Sequence, residues 1–593
     1  QGSMYNLIMA RPTKDGRYAY VIRPLEEGEY WLTFKWINYD QKAAGRSLNV
    51  EEYNEARSKG WIRGEDKWEG RDYYFRVVRS PRPTPKIGEF KELPKAPEWV
   101  RNARILHIDC QKFGFPKYAA NIPGRTGGRL ITFNEIRKQV GERIEDGFNT
   151  FLLMGILNGV PFSPKDLLKL SPKLGTEEEF KALVDEIQKV DEIHKYEGKV
   201  VIDFIYHIDP DASSELIDRL LEEGILEYFI PPQDKSEEEL EKQYPKFTLY
   251  TRGDGKKFMI KNAAPPHDYC FWPMFQFNLR SQRTWDYLIK VAKHYAREWN
   301  VDGVRLDAAD RMHELAPGLI NRLILESGMI FECEVAMGKE GEIHQQEGST
   351  FIQDLSFWFE MEKLNKGGIK FNDLLNYLKW QRINYPRTLI WRKFLSDQDK
   401  NPSVQEFGEK FVRVIYALIY SLPNTAVSIY SPDWEAYSKD LKKFIRYLMQ
   451  LKEENPALIK GERIEIYSDK ENIGGFVCMD EHSGNKVLFV ANIPSGRVEG
   501  EGEKDWANLK LPVEELGIKD SAKINYPFND LITGEEYIYS GAQLSKEGLI
   551  VGLEPYNFHI FTIGKEVYLD GGKIEAPLSN KRRWGEYLPP TDE

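Results

Sequence analysis

A chain of 593 residues with 41% hydrophobic content is long enough for two to four domains, each with a core of its own. Its 82 Lys and Arg against 93 Asp and Glu leave a formal charge of −11, which removes whole-chain support for a nucleic-acid or anionic-membrane partner and favours a neutral polymer or a small molecule. The four cysteines, Cys110, Cys270, Cys333 and Cys478, form no CxxC pair, so neither a disulfide framework nor a thiolate zinc site is expected.

In chain order, residues 4–80 carry alternating runs such as "YWLTFKWI" and "DYYFRVVRS", which predict half-buried antiparallel strands in a small β-rich domain, a sandwich. Gln1, Gly2 and Ser3 ahead of Met4 resemble a cloning remnant, and no apolar stretch of signal-peptide length follows. With no disulfide framework, the reading is a cytoplasmic protein. Residues 81–98 hold five prolines in "SPRPTPKIGEFKELPKAPEW" and read as a linker.

From 99 to 460 the texture changes. Eight short apolar runs alternate with amphipathic stretches: "RILHIDC", "NTFLLMGI", "KVVIDFIYH", "VDGVRLDA", "GMIFECEV", "FIQDLSFW", "TLIWRKFL" and "TAVSIYSPD". Eight is the count of a closed (β/α)8 barrel. In "RTWDYLIKVAKHYAREWN" the residues Trp285, Leu288, Ala292, Tyr295 and Trp299 recur at helical spacing and form one apolar stripe. Between the third run and this helix lie about 70 residues, too many for an ordinary connection, so 208–280 reads as an inserted subdomain over the active face. Residues 461–565 return to strand texture and predict a C-terminal β-sandwich, with 566–593 as a tail. The fold class is therefore α/β, a barrel with β domains on either side in sequence.

Barrel chemistry sits at the C-terminal ends of the strands, where four of the predicted strands carry an acid: Asp203, Asp307, Glu334 and Asp399. Arg305 stands two residues before Asp307, so on a strand both face the same way, about 7 Å apart along the backbone. An arginine at that range favours the ionised carboxylate, so Asp307 is expected as a ready anion. Glu334, close to other acids, is expected to hold its proton. Glu332 shares its face one layer deeper and is expected to pair with Arg305, since an uncompensated charge there is costly.

In order along the chain, "DFIYHI", "GVRLDAADR", "ECEV" and "FLSDQD" resemble the motifs of the α-amylase family, glycoside hydrolase family 13, over about residues 100–565. The resemblance implies that Asp307 is the nucleophile, Glu334 the general acid/base and Asp399 the transition-state stabiliser, with Arg305 and Asp203 in support. It implies an α-1,4-glucan or maltooligosaccharide substrate. The segments "VVIDFIYHIDPDASSELIDRL" and "VGLEPYNFHIFTI" look more like the maltosyltransferase and glucanotransferase branch. The chain departs from the family pattern with His207 and Ile208 where Asn-His is usual, with Gln398 in place of His and with Arg311 in place of Lys or His. Ile208 cannot grip a sugar, whereas Gln398 can. His207 replaces an asparagine that normally helps hold calcium and is a poor ligand for so hard an ion, so no metal and no other cofactor is expected. Trp272, Phe275, Trp358 and Trp391 are candidate acceptor-site rings. The alternative, from another functional class, is a catalytically silent carbohydrate-binding protein on the same scaffold. The complete set of three acids favours an enzyme.

Overall fold

The computed structural model describes most of residues 96–568, together with the backbone of strands at 11–12, 18–19, 28–39 and 62–77. The larger stretches outside the described residues are 1–10, 20–27, 40–61, 78–95, 112–129, 190–196, 262–274 and everything beyond 568, with short gaps elsewhere. The chain divides into two compact units, 1–91 and 92–593. In the first, Gly28–Tyr39 pairs antiparallel with Ile62–Val77, and Arg11–Pro12 with Tyr18–Ala19. These are two-stranded ribbons, and no sandwich closes among the described residues. Most of the predicted linker lies outside them.

The second unit contains a closed eight-stranded parallel barrel. Its strands in chain order are Arg104–Asp109, Thr150–Met154, Lys199–Phe204, Gly303–Leu306, Ile330–Cys333, Phe351–Gln353, Ile390–Phe394 and Thr425–Tyr430. Each lies inside one of the eight runs read from the sequence. The strands are apolar on the outward face because helices cover them. Helix Gln282–Arg297 turns Trp285, Leu288, Ala292 and Tyr295 inward, and Tyr295 stacks on Trp299 with ring centres 4.7 Å apart. Thr132, Thr176 and Ser236 each begin a helix with a reciprocal capping box, which satisfies end N–H groups that the helix itself cannot.

Two insertions decorate the C-terminal side of the barrel. A hairpin, Leu157–Val160 with Ser163–Leu170, follows the second strand. After the third strand comes a five-stranded antiparallel sheet built from His207–Ile208, Phe275–Phe277, Leu226–Phe229, Lys257–Lys261 and Phe247–Thr251. Beyond the barrel, Glu462–Tyr467, Ile473–Asp480, Asn485–Asn492, Phe558–Ile563, Ile524–Asp530 and Glu536–Ser540 form one antiparallel sheet, accompanied by the pair Asp505–Leu509 and Leu549–Leu553. Val477, Leu488, Val490, Phe528, Leu509 and Val551 form the core between them.

Lys452, on helix Lys439–Glu454, is buried against the barrel with its ammonium donating to the Leu422 carbonyl at 2.8 Å. Burial, with Arg104 adding to it, pushes its pKa down to about 7. A lysine lowered in the folded state destabilises fully below that value, and the penalty lifts as pH rises toward the unfolded lysine's ~10.4. Lys452→Met is therefore expected to stabilise by about 2 kcal/mol at pH 6, with the gain vanishing near pH 10. Urea denaturation at both pH values checks this, and a variant less stable than the parent at pH 6 contradicts it.

Candidate active site

Alternate residues of each barrel strand point inward, and strand register stacks them in layers. The lowest layer is an apolar plug of Ile105, Leu152, Val201, Phe351, Ile390 and Ala426. Above it lies a buried polar layer of His107, Asp203, Arg305, Glu332, Gln353, Arg392 and Ser428. Register puts Arg305 beside Asp203 on one side and Glu332 on the other, and Gln353 beside Arg392. Two residues further along their strands, at the C-terminal rim, stand Asp307 and Glu334.

Arg305 organises the rim. Its Nη1 lies 3.3 Å from Asp203 Oδ1 and 3.5 Å from Asp307 Oδ1, and its Nη2 lies 2.8 Å from Glu334 Oε1. Nε donates to Gln353 Oε1 at 3.3 Å, and Gln353 Nε2 donates to Asp397 Oδ2 at 3.2 Å. Asp397 Oδ1 then accepts the Asp399 backbone N–H at 2.9 Å, so one network joins the fourth, sixth and seventh strands. Asp307 and Glu334 are themselves hydrogen-bonded to each other.

Glu332 pairs with Arg392 Nε at 2.5 Å rather than with Arg305, which is a correction to the sequence reading. The Arg305 fork is taken up by Asp203, Asp307 and Glu334, and a second buried guanidinium supplies the deeper charge. Arg392, which also donates to Ser428 Oγ at 3.2 Å, was missed. Its signal was an arginine inside the apolar run "TLIWRKFL".

The protonation pattern also corrects expectation. Burial and the neighbouring Glu334 push Asp307 well above the ordinary carboxylate range despite Arg305. Burial opposes charge on Glu334 too, but Arg305, the Ala308 N–H at 3.2 Å and the bond from Asp307 outweigh it and hold Glu334 low. The two shifts run in opposite directions because the arginine grips Glu334 more closely than Asp307. Burial raises Asp203 to about 6 against the pull of Arg305. Burial, Asp397 and Glu334 raise Asp399 to about 7.

Of the other candidates, Gln398 lies at the rim, where its Nε2 donates to Asp399 Oδ2 at 2.8 Å and its buried Oε1 has no partner among the described residues. His207 does not face this cluster freely. Its Nε2 is bonded to the Phe162 carbonyl, which ties the subdomain to the hairpin, and burial lowers its pKa to about 4. A nitrogen so committed does not fit a calcium ligand set. Trp358 sits beneath the loop after the seventh strand. Its indole N–H donates to the Leu395 carbonyl at 2.9 Å, and the Lys400 ammonium lies 4.0 Å from its ring centre. It supports the Asp397–Asp399 loop and does not offer a face to a sugar. Trp391 points outward from the start of the seventh strand and packs edge-on against Tyr385, away from the rim. Phe275 is fully buried among Tyr250 and Phe258 in the subdomain. Trp272 lies outside the described residues. Asp433 was also missed: it accepts from Ser396 Oγ at 2.5 Å and from the Ser403 N–H at 2.9 Å, pinning the loop from the eighth strand's side.

No protein-family model and no curated protein matches the chain. Solved structures match at low identity, a likeness that carries the fold. A noncanonic maltogenic α-amylase from Thermotoga neapolitana, 15% identical, aligns with a TM-score of 0.54 over 78% of this chain and 98% of its own. An α-amylase from Geobacillus thermoleovorans, complexed with acarbose and 15% identical, aligns at 0.57 over 79% and 99%. A cyclic α-maltosyl-(1→6)-maltose hydrolase from Arthrobacter globiformis, complexed with that sugar and 16% identical, aligns at 0.56 over 79% and 100%. The chain has the fold of these enzymes.

Proposed function

We propose that this protein is a retaining α-amylase-family enzyme that acts on α-1,4-glucans and maltooligosaccharides. The observation that supports it most is the meeting of Asp307 and Glu334, from adjacent strands, on one buried arginine at the barrel's C-terminal rim, with Asp399 beside them. Retention needs two carboxyl groups about 5 Å apart, whereas inversion needs a wider gap that admits water, and a hydrogen-bonded pair fits only the first.

In this reading the pair carries one proton, which Glu334 holds once the sugar is bound, leaving Asp307 ionised. The Asp307 carboxylate then attacks the anomeric carbon while Glu334 protonates the departing glycosidic oxygen, leaving a glycosyl ester on Asp307. Water or a sugar hydroxyl next attacks that ester, and Glu334 takes its proton. Asp399 and the unpartnered Gln398 Oε1 bind sugar hydroxyls, and Asp203 and Arg305 hold the carboxyls in place. Side chains and the attacking water or sugar hydroxyl supply every proton and electron pair, so the chemistry requires no resident metal. Free, buried Cys110, Cys333 and Cys478 suit a reducing compartment, the cytoplasm.

We favour maltosyl or glucan transfer alongside hydrolysis on the chain's resemblance to that branch. Incubation with maltotriose through maltoheptaose, followed by chromatography, tests the reading. Products longer than the input mean transfer, and only shorter ones mean hydrolysis. No change with any α-glucan overturns the enzymatic reading in favour of a binding protein.

A further inference from the structure

Between the two central carboxyls lies a residue in an unusual conformation. Ala308 has φ 44° and ψ 52°, the left-handed region that a residue with a Cβ rarely adopts, and helix Ala309–Leu315 starts immediately after it. Its N–H donates to Glu334 Oε2 at 3.2 Å. Its carbonyl accepts the Tyr206 hydroxyl at 2.8 Å, reaching from beyond the end of the third strand, together with the Arg311 and Met312 N–H groups of the helix's first turn at 3.1 and 3.3 Å. Tyr206 is buried, so this hydroxyl has little competition from water. The Ala309 N–H donates to the Glu334 carbonyl at 2.8 Å, which stitches the same turn to the fifth strand.

We propose that Tyr206 is a positioning residue: by holding the Ala308 carbonyl it locks the left-handed turn that aims the Ala308 N–H at Glu334. The cost of that conformation in an alanine is comparable to the worth of one buried hydrogen bond, so losing the shortest of the three bonds to this carbonyl, and the only one from outside the helix, tips the turn toward relaxing. A backbone N–H given to a carboxylate favours its anion. Once the turn relaxes, Glu334 holds its proton to higher pH. The assignment rests on the catalytic reading above only where it speaks of rate.

The test is Tyr206→Phe, which deletes a single oxygen, examined by crystallography and by the pH dependence of kcat on maltoheptaose. In the crystal, Ala308 is expected to leave positive φ and its N–H to move out of bonding range of Glu334. In the rate profile, kcat is expected to fall about tenfold with KM within about threefold, and the basic limb to move to higher pH. Adding Ala308→Gly to the Tyr206→Phe variant should restore at least about a third of the lost rate, since glycine takes the left-handed turn without strain. Ala308→Val, which cannot sit in that region with Tyr206 intact, should shift the basic limb the same way. A Tyr206→Phe crystal with Ala308 unmoved and its bond to Glu334 intact overturns the proposal, whatever the rates. A shifted turn in a protein whose parent leaves every α-glucan unchanged supports the lock and rejects the catalytic reading.

Discussion

Asp307→Asn is expected to lower kcat on maltoheptaose by on the order of 10⁴-fold or more, while the affinity for the same sugar stays within about tenfold. The amide has nearly the shape of the acid and keeps a hydrogen bond to Glu334, so the site should survive. What it lacks is the anionic oxygen that forms the glycosyl ester. Calorimetric titration of the inactive variant separates the two effects, binding from chemistry. Near-normal turnover in Asp307→Asn shows that the nucleophile lies elsewhere.

Arg305→Met is expected to be the most destabilising single change at the site, at about 3–5 kcal/mol, because it leaves buried acids without their counter-charge. Arg305 is 1% exposed and faces Asp203, Asp307 and Glu334. Asp203 already sits at about 6 with the arginine present, and without it the folded pKa of Asp203 rises further, while Glu334, which the arginine holds low, loses that hold and is pushed up by burial. A group raised on folding supports stability below its unfolded pKa and loses that support as pH climbs through the folded one. The deficit against the parent should therefore be small at pH 5 and large at pH 8. Urea denaturation at the two pH values reads it directly. An equal deficit at both means that the arginine contributes packing and not charge.

The barrel was legible because each strand is a short apolar run covered by helices, and because the acids of three motifs come at strand ends. Strand parity alone put Arg305 with Asp307 and Glu332 with Glu334. Cross-strand partners were not legible, since which guanidinium meets Glu332 depends on how many acids already surround Arg305. The direction of the Asp307 shift failed for a related reason. A sequence shows that an arginine is near, but burial, and the 2.8 Å against 3.5 Å contest for that arginine, exist only in three dimensions. The aromatic candidates misled because Trp358, Trp391 and Phe275 are as useful for packing as for sugars, and the structure uses them for packing. His207 kept its place in the motif but is bonded to the hairpin carbonyl of Phe162 instead.

The central claim is that Asp307 and Glu334 act across one glycosidic bond with a covalent step between them. The most direct measurement is proton NMR of the first products formed from maltoheptaose, taken before the free sugar ends equilibrate. Two successive displacements return the α configuration at the newly formed anomeric centre, whether water or a sugar accepts it. First-formed β anomer means a single displacement by water and contradicts the account.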